Sequence, residues 1–144
     1  MLIDEIARAE SLTAVLRGIS DSFRVRINYL GTCENNDYSD VFGSIEDLFL
    51  REVELLLDDK TVVRAKTFCD NSCEFWKNIL LHEKRPLGDI LFNNPEIKRT
   101  SLTVQKYLYN GVELPHRQGI FEYLDEKLLI EEYFLPEIKL FCDD

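Results

Sequence analysis

Leu128-Leu129-Ile130-Glu131-Glu132-Tyr133-Phe134-Leu135-Pro136 is the stretch whose reading decides the fold. A period of two places Ile130, Glu132 and Phe134 on one face of a strand, and Leu129, Glu131, Tyr133 and Leu135 on the other. A carboxylate between two large apolar residues is costly to bury unless a cation or a proton meets it. We read Glu132 as the inward acid; an inverted parity puts Glu131 there instead. Far upstream, Leu48-Phe49-Leu50-Arg51-Glu52-Val53-Glu54-Leu55 alternates in the same way, with Phe49, Arg51, Val53 and Leu55 on one side. Two strands thus each carry a single charge inside an apolar face, one acid and one base. The pair Arg51 and Glu132 is the first functional candidate.

Working outward, residues 48–57 and 61–68 read as strands joined by Asp58-Asp59-Lys60. Side-chain parity favours a three-residue loop, which sets Leu55 against Val63, Val53 against Ala65 and Arg51 against Thr67. The other face then carries Glu54 against Arg64 and Glu52 against Lys66, a solvated charge ladder worth little. Residues 117–124 and 128–135 form a second hairpin through Asp125-Glu126-Lys127. Its register stays open: a two-residue turn sets Glu132 opposite Gly119, a three-residue loop opposite Ile120.

Residues 1–19 read as one or two short helices, the second capped by Ser11 and running through Leu12, Val15, Leu16 and Ile19. Residues 23–30 alternate as a half-buried strand, and 31–43 form a long polar loop of the kind that covers a site. A helix follows the Asp70-Asn71-Ser72 cluster and runs to about His82, with Trp76 in the core. A short helical turn spans 89–92, a long strand 97–108, and Asn110-Gly111 marks a turn. About six strands, mostly in hairpins and not alternating with helices, predict a single α+β domain over residues 1–144. Its sheet is mainly antiparallel.

Bulk properties set the outer limits. The 144 residues suffice for one domain, and 45% hydrophobic content predicts a real core. No apolar run is long enough to span a bilayer, and the first residues carry acids where a secretory signal carries positive charge. We therefore expect a soluble cytoplasmic protein, and a monomer. A net charge of −10 argues against nucleic acid as a partner. It does not exclude a small anion, because one buried arginine sets its own local potential. Cys33, Cys69, Cys73 and Cys142 lack the paired spacing of a metal site and read as free thiols in a reducing compartment.

With these pieces placed, the sequence resembles the chorismate pyruvate-lyase family, in particular its short cyanobacterial and red-algal plastid forms. Four landmarks carry the likeness in order: Glu10-Ser11-Leu12-Thr13, Arg51-Glu52-Val53, Pro86-Leu87-Gly88-Asp89-Ile90-Leu91-Phe92, and the closing strand ending at Pro136. The resemblance implies a sheet with helical flaps enclosing a small internal cavity. It also implies elimination of pyruvate from chorismate to give 4-hydroxybenzoate, a quinone precursor, without cofactor or metal, in the cytoplasm or plastid stroma. Carried over by motif, Arg51 holds the ring carboxylate, Glu132 faces the hydroxyl end, and Leu12 and Leu87 line the cavity. Lys84-Arg85 and His116-Arg117 are further cations that attract a dianion, or else solvated loop charges. Two other classes stay in view: a non-catalytic binding domain for a small aromatic acid on the same fold, and an interaction protein whose acidic surface meets a basic partner.

Overall fold

Residues 1–143 are described by a computed structural model, and two-residue turns organise its sheet. Strand β2 (Asp47–Leu57) turns into β3 (Lys60–Asp70) at Asp58-Asp59. Strand β4 (Lys98–Tyr109) turns into β5 (Val112–Tyr123) at Asn110-Gly111, and β5 into β6 (Glu126–Phe134) at Leu124-Asp125. Both central residues of each turn have positive φ, from 47° to 82°. That backbone twist matches the twist of the flanking strands. With β1 (Arg24–Glu34) these strands form one six-stranded sheet in the order β1-β2-β3-β6-β5-β4, antiparallel at every pairing. The α+β expectation holds.

The first hairpin keeps the expected register, with Leu55 opposite Val63, Val53 opposite Ala65 and Arg51 opposite Thr67. Its loop is one residue shorter than expected. The register shifts between Leu55 and Leu56, so an extra residue at Val62 restores the apolar parity that the tighter turn alone would lose. The last hairpin corrects the sequence reading. Its turn lies earlier, at Leu124-Asp125, so Glu132 stands opposite Arg117 rather than Gly119 or Ile120. Arg117 is therefore a strand residue, only 5% exposed, and not a solvated loop charge.

The two faces of the sheet are covered differently. On the front lie α1 (Ile3–Ala7), α2 (Leu12–Ile19), α4 (Glu74–His82) and α5 (Gly88–Leu91). The Ser11 hydroxyl accepts from the Ala14 amide at 3.2 Å and caps α2 as expected. Leu16 packs with Val53, Leu55, Ala65 and Phe134 at one end of this face. At the other end, Trp76 and Leu80 pack with Phe49, Cys69 and Ile130. Trp76 is fully buried, and its indole N–H donates to the Glu126 carbonyl at 2.9 Å, so the buried dipole is satisfied.

The back face overturns the reading of residues 31–43. Gly31 to Glu34 extend β1, and beyond them the chain folds into the short helix α3 (Ser39–Phe42). There Phe42 and Tyr38 pack on Leu48, Phe68 and Leu129, the side of the sheet away from Arg51. The hydrophobic Phe42 and Val41 pull this polar-looking segment down as cover for a second, smaller core. After β6 a 3₁₀ helix (Pro136–Phe141) returns Ile138 to the front core. Among the described residues no helix is long and apolar enough to cross a membrane.

Candidate active site

Antiparallel pairing lays the front face out as a grid. One row across the strands reads Arg51, Thr67, Ile130, Gly119 and Leu102; the next reads Val53, Ala65, Glu132, Arg117 and Val104. Arg51 and Glu132 are thus two strands and one row apart, so their Cα atoms lie about 12 Å from each other. Between them β3 bears the small residues Ala65 and Thr67, and beyond Glu132's strand β5 bears Gly119. The hollow this leaves encloses about 70 Å³. Leu12 of α2 and Leu87 before α5 line it from above, and Arg51 and Glu132 from the sheet. All four residues singled out from the sequence therefore meet at one cavity.

Arg51 is 1% exposed, yet among the described residues no carboxylate pairs with it. One Nη2 proton goes to the Arg85 carbonyl at 3.2 Å, whereas Nε and Nη1 are buried without a partner. Burial pushes the guanidinium pKa down, against the pull of nearby Glu83, which is itself paired with Arg85 at 2.8 Å. An unsatisfied buried guanidinium is among the costlier features a small domain can carry. A carboxylate held through two parallel N–H···O bonds would take the second Nη2 proton together with Nε or Nη1.

Glu132 has a different environment. Burial raises its pKa, while the charges of Arg117 and Arg99 oppose the rise. Arg117 Nε stands 2.9 Å from the Glu132 carboxylate, close enough for an ion pair but without hydrogen-bond alignment. The Arg117 Nη1 group donates to the Ala7 and Ala9 carbonyls, both at 2.9 Å. The cation that meets Glu132 is thus Arg117, not Arg51. The neighbouring acid, Glu131, faces the back of the sheet, where the Tyr38 hydroxyl and the Gln118 amide donate to it at 2.8 and 3.1 Å. The parity that turns Glu132 inward is the one observed.

Two helical flaps close the hollow. Arg17 of α2 grips Asp89 of α5 with two bonds, at 2.7 and 2.8 Å. Next to this clasp the flaps touch so closely that a Cβ on Gly88 would sit 2.9 Å from the Thr13 hydroxyl. Glycine is needed there for close approach, not for backbone freedom. Sequence reasoning offered Arg117 only as a cation that attracts a dianion, without its place beside Glu132, and missed Arg99 as a lining residue. Arg117 could have been found from parity, since it alternates with Gly119 and Phe121 along one strand face, but only with the turn correctly placed.

The family model described as chorismate lyase matches residues 2–142, almost the whole chain. A probable chorismate pyruvate-lyase of Pseudoalteromonas translucida (strain TAC 125) is 31% identical over 91% of this chain and 82% of its own length. Another, of Psychromonas ingrahamii, is 28% identical over 94% of this chain and 82% of its own length. Among solved structures, the C-terminal domain of the histidine utilization repressor from Pseudomonas syringae pv. tomato superposes with a TM-score of 0.61. It shares 9% identity over 80% of this chain and 92% of that one. The ligand-binding domain of a GntR-family transcriptional regulator from Bordetella bronchiseptica gives 0.58 at 12% identity, over 81% and 87%. These two likenesses concern the fold alone.

Proposed function

The chain belongs to the chorismate lyase family, and we propose that it is a chorismate pyruvate-lyase whose active site is the hollow between Arg51 and Glu132. The observation that carries the site assignment is the buried Arg51 guanidinium with two donors unpartnered at the cavity wall. A carboxylate on a flat ring satisfies it, and the ring's length brings a para hydroxyl toward Glu132.

The chemistry asks little of the protein. The ether bond from the ring to the enolpyruvyl group breaks, and the neighbouring ring carbon, which bears the hydroxyl, gives up its hydrogen as a proton. The ring becomes aromatic as 4-hydroxybenzoate, and the enolpyruvate gains a proton at its methylene to become pyruvate. Aromatisation drives the step, so holding one conformer over the sheet supplies most of what is needed. Arg51 fixes the ring carboxylate. Glu132 accepts from the ring hydroxyl and stands beside the carbon that loses its proton; a carboxyl whose pKa burial has raised suits that position. Leu12 and Leu87 press the ring flat and keep water out.

We also assign the reaction to the cytoplasm and to a single chain. Cys33, Cys69 and Cys73 are free thiols, as a reducing compartment keeps them. The cyanobacterial or plastid affinity expected from the sequence draws no support from the relatives named above, which come from Pseudoalteromonas and Psychromonas. Purified protein mixed with chorismate tests the proposal: pyruvate and 4-hydroxybenzoate are expected in equal amounts. Tight binding of 4-hydroxybenzoate without any turnover would instead make the chain a sensor of that acid.

A further inference from the structure

Four charged side chains line the hollow, namely Arg51, Arg99, Arg117 and Glu132, so its walls are net cationic in a chain of net charge −10. One of the three cations is committed. Arg117 is buried, with its guanidinium held by the Ala7 and Ala9 carbonyls and paired with Glu132. Arg51 waits for a carboxylate at the other end. Arg99 is left over. It reaches in from β4, on the far side of β3, β6 and β5 from Arg51.

The surroundings of Arg99 fix where its charge sits. Its Nη1 donates to the Glu10 carbonyl at 2.7 Å, one residue beyond the Ala9 carbonyl that Arg117 holds. The two guanidiniums therefore grip the same connection between α1 and α2, side by side. The Arg99 guanidinium also lies over the Phe92 ring, 5.7 Å from its centre, which keeps it flat against the cavity wall. It is only half-buried and has no carboxylate partner among the ion pairs of the described residues. Among the described residues no other hydrogen bond engages its remaining donors.

Resting on the lyase reading, we infer that Arg99 receives the second carboxylate of the substrate, the one on the enolpyruvyl arm. Chorismate carries that arm on the ring carbon next to the hydroxyl-bearing one, so its carboxylate lies toward the Glu132 end of the hollow. Arg99 acts on Glu132 electrostatically and shares that end with it. Arg51 reads the carboxylate that substrate and product have in common; Arg99 reads the one that leaves. The division gives selectivity for the dicarboxylate on entry and a weaker hold on the monocarboxylate product.

The test compares two ligands on wild type and Arg99→Gln. Affinity for 4-hydroxybenzoate is measured by titration, and that for chorismate by KM or, if no turnover occurs, by displacement of bound 4-hydroxybenzoate. Arg99→Gln should weaken chorismate about tenfold to a hundredfold while leaving 4-hydroxybenzoate within about twofold, since one charge-assisted contact is lost to one ligand only. Arg99→Lys should recover part of the loss. Equal affinity for chorismate in wild type and Arg99→Gln overturns the assignment, and so does an equal loss for both ligands, which marks Arg99 as structural. Absence of turnover by wild type counts against the lyase reading alone, because the two affinities still decide what Arg99 does.

Discussion

Arg117 makes one guanidinium serve two ends: it neutralises Glu132 and ties down the connection from Ala7 to Ala9. Arg117→Met should cost about 3 kcal/mol of stability, since it strands a buried carboxylate. The sign of the pH effect follows from Glu132. A carboxyl whose folded pKa is raised favours the folded state when protonated, so stability falls as pH rises from the unfolded value of about 4.3 through the folded one. Removing Arg117 takes away a charge that opposes the rise. The variant should lose stability more steeply with rising pH than wild type, and the acid limb of its pH–rate profile should move to higher pH. Arg117→Lys should restore that limb. Urea melts and kinetics across pH check both; an unmoved limb in Arg117→Met would show that Arg117 does not set the charge of Glu132. At this scale the sequence was legible where alternation was strict, and Arg51 and Glu132 stood out as lone charges in apolar faces. The partner of Glu132 did not, because a cross-strand neighbour depends on a turn.

Turns decide the elements, and they carried unequal signals. Asn110-Gly111 announces itself, whereas Leu124-Asp125 does not: leucine rarely adopts the left-handed backbone it has here, with φ of 47°. That concealed turn is why the last register was unreadable. Leu124 is 79% exposed, so nothing is lost from the core by changing it. Leu124→Asn should stabilise the protein by about 1 kcal/mol without altering kinetics, read as a higher urea midpoint at constant slope. No gain would mean that packing of the leucine offsets its backbone cost. The α2–α5 clasp is a second element-scale device. Asp89→Asn breaks the grip of Arg17 across the flaps, a half-exposed pair worth under about 1 kcal/mol. Release of 4-hydroxybenzoate should quicken about twofold to fivefold, as stopped-flow dissociation would measure. An unchanged rate would place the barrier to release elsewhere. Segment 31–43 was illegible for a related reason: its polar residues hid Phe42 and Tyr38, which hold it against the back core.

Seen as a whole molecule, the chain gives one face of its sheet to a core interrupted by the charges of the hollow, and the other to a smaller apolar cluster beside cross-strand ion pairs. On the proposed reading, an acidic protein that keeps Arg51 buried with two donors unpartnered gives up stability for a site, and that trade would separate a binding role from a structural one. Replacing Arg51 with the unbranched, neutral methionine keeps the stem packed and removes the orphaned donors. The most direct measurement is therefore a pair of titrations with 4-hydroxybenzoate, on wild type and on Arg51→Met, beside their urea melts. We predict that Arg51→Met binds at least about 30-fold more weakly yet is as stable as wild type or more so. Undiminished affinity in Arg51→Met would contradict the claim that this guanidinium holds the ligand's carboxylate.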